Sequence, residues 1–279
     1  MIRRRRVTRV MIGSVTGVPP PGLGARFPAT SPYSGAVLPF VLLAHRAEDA
    51  AADDEYAAVL RLGGLAPGQL RRVRLEQGPI GDLDPTAYSA VILGGGPYLA
   101  SDPDERKTDT QRRAEADILG LLDTVVSQDL PFLGLCYGIG MLGTHQGGLV
   151  DRTFGEDVGR LSVTVTGAGA QDPLFEGLPE TFEAFGGHKE ALSTVPRTAV
   201  VLATSQACPV QAFRVGSNVY ATQFHPEMDS ASLQTRIDAY RDFGYFAPEE
   251  AESLKAVARE RETPHSAEIL RRFVVKYSR

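Results

Sequence analysis

Hydrophobic positions fall into two textures along this chain. Val37 to Leu43 (Val-Leu-Pro-Phe-Val-Leu-Leu) is a continuous apolar run, the pattern of a parallel strand covered on both faces. Asp53 to Leu62 has helical spacing with acidic residues in its first turn, and Gly63-Gly64 supplies the stop. Arg72 to Glu76 alternates as a strand. Tyr88 to Leu93 reads as a buried strand running straight into Gly94-Gly-Gly-Pro97. Gln111 to Gln128 is the longest helical pattern, with apolar Ala114, Ile118, Leu121, Leu122 and Val125 on one face. Phe132 to Leu135 follows as another short buried strand. Strands alternating with helices predict an α/β fold: an open, mostly parallel, flavodoxin-like sheet flanked by helices. Such sheets carry their sites at the carboxyl ends of strands.

From Val150 the texture changes. Leu161–Thr166, Thr181–Phe185, Ala199–Ala203, Val210–Val215 and Asn218–Phe224 are short β-like runs between turns such as Gln171-Asp-Pro173 and Gly177-Leu-Pro179. They predict a mixed or antiparallel β layer added to the same sheet, not an independent domain. Ser230–Tyr240 and about Thr263–Lys276 read as closing helices. The first 36 residues combine Arg3–Arg6 with a Pro/Gly-rich stretch, and their short apolar part is broken by Gly13, Ser14 and Gly17. They are expected to be a disordered extension, not a signal peptide, leaving residues 37–279 as a single domain.

Composition narrows the function classes. With 43% hydrophobic and 23% charged residues and a net charge of −5, the chain shows no global basic field, so no nucleic-acid partner is expected. No run approaches the roughly 18 apolar residues of a membrane span. The two cysteines, Cys136 and Cys208, argue for a reducing, cytoplasmic setting. Neither lies in a Cys-x-x-Cys or Cys/His cluster along the sequence, so neither a metal site nor a cofactor is expected.

Pro131-Phe-Leu-Gly-Leu-Cys136-Tyr-Gly-Ile-Gly-Met-Leu142 delivers a cysteine from a strand onto a glycine-rich turn before a helix. This is the pattern of a nucleophile elbow, in which the helix N-terminus favours a thiolate. A buried cysteine packed as a small hydrophobe is the competing reading. A thiol nucleophile needs a base, and the base needs an orienting carboxylate. His225 and Glu227, flanking Pro226 at the end of a strand-like run, lie two apart and point the same way in an extended segment. Gly95 and Gly96 of the triple-glycine loop, with the amide of Tyr137, offer donors for an oxyanion. The loop lacks the lysine and spacing of a phosphate loop.

Gly-Leu-Cys136-Tyr-Gly, the upstream Gly-Gly-Gly-Pro97 and the downstream Gln-Phe-His225-Pro-Glu227 together resemble the three signatures of class I glutamine amidotransferases, in order and separation. Asp172–Pro179 resembles a segment of the GMP-synthase-type branch, and Gly187-His188-Lys189-Glu190 stands where that branch has Ser-His-Gly-Asp. The resemblance covers roughly Leu38 to Tyr245. It implies a Cys136–His225–Glu227 triad that cleaves the side-chain amide of glutamine through a γ-glutamyl thioester, with the Gly96 and Tyr137 amides holding the oxyanion. The residues outside it are too few for a synthetase domain, so the ammonia acceptor is expected to be a separate chain. His188 is expected to be a substrate-loop or structural residue and Cys208 structural.

One departure bears on substrate. Where the family has a His-Gln pair after the elbow, this chain has Ile139 and Gly140, and losing a buried hydrogen-bonding partner costs about 1–3 kcal/mol. Either Lys189 compensates by pairing with a substrate carboxylate, or a cavity at Gly140 accepts a bulkier γ-glutamyl compound. A stand-alone γ-glutamyl peptidase and a weakly active binding or regulatory relative are therefore the alternatives to a glutaminase.

Overall fold

The computed structural model describes residues 38–279. The expected disordered extension lies outside them, and so does Val37. The first strand, β1 (Phe40–Ala44), is wholly buried. It pairs in parallel with β2 (Leu70–Arg74) on one side and β3 (Val91–Leu93) on the other. β3 pairs with β4 (Phe132–Leu135), and β4 with β11 (Val219–Thr222), both in parallel. The predicted strand at Tyr88 is shorter than its apolar run. Pro85–Ala87 forms a 3-10 turn, and Ser89 donates its hydroxyl to the Leu38 carbonyl at 2.6 Å instead of continuing a strand.

Beyond β11 the sheet continues antiparallel through β10 (Ala212–Val215), β9 (Ala199–Thr204), β6 (Glu156–Val165) and β7 (Thr181–His188), giving the order β2-β1-β3-β4-β11-β10-β9-β6-β7. The predicted added layer is thus an edgewise extension of one sheet. A separate antiparallel pair, β5 (Leu149–Asp151) with β8 (Ala191–Thr194), stands apart from it.

Alternate residues of the strands feed opposite faces, as period-two geometry requires. Phe40 and Leu42 join one core with Val59 of α1 (Asp49–Gly63) and Ile269, Leu270 and Phe273 of α6 (Pro264–Tyr277). Val41 and Leu43 join the other, with Ile118 and Leu122 of α2 (Asp109–Ser127) and Met141 and Leu142 of α3 (Tyr137–His145). Gly64 closes α1 in the left-handed conformation, with φ 71°, and donates to the Leu60 carbonyl. A third, smaller cluster packs α4 (Ser230–Ala239) on α5 (Ala251–Glu260), and α5 is a helix the sequence pattern did not announce. Among the described residues, no helix is long and apolar enough to cross a membrane.

Candidate active site

Four adjacent parallel strands, β1, β3, β4 and β11, end side by side, and each is followed by residues of one cluster. Their registers align Leu43 with Leu93, Leu93 with Gly134, and Leu135 with Thr222. His45-Arg46, Gly94–Gly96, Cys136 and His225 therefore all emerge at the same sheet edge. Four segments that are remote in sequence converge because their strands are neighbours.

Cys136 takes φ 51° and ψ −92°, a region L-residues avoid at a cost of order 1–3 kcal/mol. The surroundings enforce it. A Cβ on Gly134 would sit 2.8 Å from the Gly138 carbonyl carbon, so only glycine lets the strand and the following helix approach this closely. The Cys136 amide donates to the Thr222 carbonyl at 2.8 Å, pinning the elbow to β11. The side chain keeps partial exposure because it opens on a cavity. Its desolvated surroundings nonetheless push the thiol up to about 12. Arg46 opposes that shift, and the Glu190 and Glu227 carboxylates reinforce it. A thiol pushed up in this way needs a base to take its proton.

His225 Nδ1 lies 2.7 Å from Glu227 Oε1, brought there by a turn closed by the Met228 amide donating to the His225 carbonyl at 3.1 Å and not by the extended segment expected. Nδ1–H donating there leaves the Nε2 lone pair as the basic site. Burial lowers the His225 pKa against the opposing Glu227 carboxylate. Burial alone would raise Glu227, but His225 and Arg236 overcome it and hold the carboxyl well below its usual range. His225 and Cys136 line the same cavity. Among the described residues, the sulfur's hydrogen-bonding contact is Gln223 Nε2 at 3.9 Å, and it makes none with the imidazole. Such contacts tighten on substrate binding in many enzymes.

The triple glycine is explained position by position. A Cβ on Gly94 would lie 2.7 Å from Glu55 Oε2. One on Gly95 would lie 2.6 Å from His225 Cε1 and 3.3 Å from Cys136 Cβ, and one on Gly96 would lie 2.2 Å from the His45 ring. Gly95→Ala should therefore displace His225 and lower kcat for amide hydrolysis by roughly 10²-fold, with a smaller effect on KM. Unchanged kinetics would refute this packing. Among the described residues, the Gly96 and Tyr137 amides donate to no acceptor, which leaves them free for an oxyanion. His45 stacks on Tyr98 at 4.9 Å and contacts Tyr137 at 4.5 Å. Burial, helped by Arg46, lowers its pKa to about 3, making it a neutral buttress beneath the glycine loop.

Behind the imidazole lies a set of charges that motif reasoning missed. Arg236 Nη1 donates to Glu227 Oε1 at 3.0 Å, and Arg236 Nη2 is 3.9 Å from Glu55 Oε1. Glu55 Oε1 also accepts from Arg46 Nε at 3.0 Å, and Arg46 Nη1 donates to the Tyr240 hydroxyl at 2.9 Å. Both carboxylates are fully buried. A sequence signal existed. Glu55 interrupts the apolar stripe Ala51, Ala52, Ala58, Val59 of α1, and a charge on a core face implies a buried partner.

His188, Lys189 and Glu190 lie close to Cys136, lining a small cavity beside it. Both His188 ring nitrogens are engaged, Nδ1 with the Glu190 carbonyl and Nε2 with Glu156 Oε2, each at 2.9 Å. Lys189 Nζ donates to the Phe243 carbonyl at 2.7 Å and sits 4.2 Å from the Tyr245 ring centroid. A Cβ on Gly140 would meet Ala100 Cβ and Glu190 Oε1, both at 3.3 Å. The expected vacancy at Gly140 is therefore corrected: Ala100 and Glu190 fill it. Glu190 Oε1 and Oε2 accept from the Ala100 and Ser101 amides, each at 2.8 Å. Cys208, isolated in sequence, is brought together with Glu156 and His188, their ligand atoms within 4.8 Å of one another. Glu156 is already hydrogen-bonded to His188, Ser205 and Gln211.

Comparison with known proteins fits this arrangement. The profile described as "Glutamine amidotransferase class-I" matches residues 72–239. The glutamine-hydrolyzing GMP synthase of Thermosipho africanus (strain TCF52B) is 30% identical over 179 residues, covering 60% of this chain and 31% of that protein. A shorter relative from Methanoculleus marisnigri, described as one subunit of a glutamine-hydrolyzing GMP synthase, is 30% identical over 165 residues, covering 57% of this chain and 79% of that one. The chain spans about a third or less of the longer synthases it matches. The crystal structure of a glutamine amidotransferase from Thermotoga maritima superposes with a TM-score of 0.67 at 22% identity, over 86% of this chain and 97% of that one, a likeness of fold.

Proposed function

Since the chain belongs to the class I glutamine amidotransferase family, we propose that it hydrolyses the side-chain amide of glutamine with Cys136 as nucleophile, His225 as base and acid, and Glu227 as the group that orients His225. The observation that carries this reading is the convergence on Cys136 of a strained elbow, an imidazole–carboxylate pair and the unengaged Gly96 amide in one cavity, with the unengaged Tyr137 amide in the adjoining one. His225 Nε2 takes the thiol proton as Sγ attacks the amide carbon. The Gly96 and Tyr137 amides receive the developing oxyanion, with Gly95 in the same loop keeping the approach open. His225 then protonates the departing nitrogen. Ammonia leaves, and water activated by the same imidazole cleaves the γ-glutamyl thioester to glutamate.

Lys189 and Glu190 offer opposite charges beside Cys136 for the carboxylate and ammonium of the substrate head. His188, with both nitrogens engaged, holds that segment in place. The match to a relative that is itself one subunit of a synthase supports an acceptor enzyme on another chain, in the cytoplasm, that consumes the ammonia.

Glutamate and ammonia release from glutamine, followed across pH, tests the assignment. Because burial lowers the His225 pKa, the neutral base persists into mildly acidic solution. The acidic limb of kcat/KM should therefore have its midpoint below about 6.5, the ordinary imidazole value. A midpoint above about 7 would sink the assignment of His225 as a desolvated base.

A further inference from the structure

Cys136 lies at the junction of two cavities. One, of about 60 Å³, contains His225; the other, of about 20 Å³, contains Lys189 and Glu190. A single water needs ~10–15 Å³ by this measure, so the head of a glutamine cannot enter between Lys189 and Glu190 until a wall moves. Most of the walls are fixed. Gly96 and Cys136 directly follow β3 and β4, His188 is held through both ring nitrogens, and Glu190 is held through both carboxylate oxygens. Tyr245 differs. It lines both cavities, and so stands between them at the sulfur.

Tyr245 belongs to residues 241–247, which join α4 to the 3-10 turn Pro248–Glu250 ahead of α5 and lie past the end of the family match at residue 239. Among the described residues, the hydrogen bonds of this stretch run mostly to its own ends: the Phe243 amide to the Tyr240 carbonyl, Arg241 to the Pro248 carbonyl and the Ala247 amide to Glu250. One ties it to the body of the domain, from Lys189 Nζ to the Phe243 carbonyl at 2.7 Å. Gly244, at φ 71°, turns the chain around that ammonium, and a Cβ there would lie 3.7 Å from Nζ. The Tyr245 ring centroid lies 4.2 Å from Nζ on the other side. Asp102, the carboxylate that acts on Lys189, is already paired with Arg152 at 2.7 Å. Lys189 is thus held by a neutral carbonyl and a ring, and a carboxylate would add a second charge to the pair. That difference can move the stretch, because a ligand shifts a conformational equilibrium only by its differential affinity for the two states.

Resting on the glutamine reading above, we infer that residues 241–247 are a cover over Cys136 that the substrate itself releases. Its α-carboxylate takes Lys189 from the Phe243 carbonyl, and Tyr245 withdraws from between the cavities to admit the γ-amide to the sulfur. Amides that lack an α-carboxylate are therefore excluded before any chemistry.

The chain contains no tryptophan and Phe243 is 43% exposed, so Phe243→Trp places a single reporter on the cover. In a Cys136→Ser background, glutamine should shift the tryptophan emission with the same midpoint as its binding measured by calorimetry. γ-Aminobutyramide, which is glutamine without its α-carboxylate, should need about ten-fold or more higher concentration, the scale of one charge-assisted hydrogen bond. In the otherwise unchanged chain, Lys189→Met should speed alkylation of Cys136 by iodoacetamide by about the same factor, read by peptide mass so that Cys208 is counted separately. Emission that stays fixed while calorimetry registers glutamine would overturn the cover and leave the glutamine assignment standing. So would γ-aminobutyramide acting as well as glutamine, or an alkylation rate unchanged by Lys189→Met. If calorimetry registers no glutamine, the inference falls together with the reading beneath it.

Discussion

Cys136→Ala and Cys136→Gly should each lose roughly 10⁴-fold or more in kcat for amide hydrolysis, because loss of the nucleophile leaves only binding and the oxyanion donors. Their stabilities should diverge. At an ordinary position glycine is less stable than alanine by about 0.5–1 kcal/mol through its unfolded-state entropy. At Cys136 the backbone stands at φ 51° and ψ −92°, where a Cβ is strained and glycine is not, so the order should invert. Cys136→Gly should be the more stable of the two by about 1 kcal/mol, read as a rise in the midpoint of denaturant unfolding at unchanged slope. An alanine variant as stable as the glycine variant would mean that the elbow stores no strain.

Arg236→Met should be the most destabilising change at the site, by about 3–5 kcal/mol, the range for removing one partner of a buried ion pair. Glu227 loses the guanidinium 3.0 Å from its Oε1, and Glu55 loses the more distant of its two cations. The pH dependence gives the sign. In the native protein His225 and Arg236 hold the Glu227 pKa below its unfolded value. That contribution is full above the unfolded pKa and is lost as pH falls through the folded one. Without Arg236 the Glu227 value rises, and protonation relieves the uncompensated charge. The deficit of the variant should therefore be larger at pH 7 than near pH 3, below the ordinary carboxyl value of about 4.3. A deficit independent of pH would point to lost packing in place of lost charge. Arg236→Lys should recover part of the stability, but not the alignment of His225, since an ammonium lacks the planar fork. Thermal unfolding and the acidic limb of kcat/KM, measured on the same variants, separate the two effects.

What the sequence by itself determined was local and periodic. The apolar run ending in β1, the amphipathic α2 and the glycines around Cys136 each specify their element through neighbours a few residues away. His225 and Glu227 are adjacent in sequence to Pro226, but they meet across a turn there, where the spacing alone suggests an extended segment. The edges of elements were less legible: Tyr88–Ala90 looks like the start of β3, but it is tied off by Ser89 bonding to the Leu38 carbonyl.

Only the tertiary structure decided which charged residues are interior. Arg46 and Arg236 carry no mark of burial in the sequence, whereas Glu55 does by interrupting the apolar stripe of α1, and the three become a buried set because α1 and α4 close over the sheet edge where four strands end. It also decided that Gly140 leaves no room, since Glu190 reaches it from a strand end 50 residues away in sequence. The physical reason is the same in each case. The periodicity of the chain records which face of an element is buried, but the partner that neutralises a buried charge is fixed by strand order, and strand order is a property of the assembled sheet.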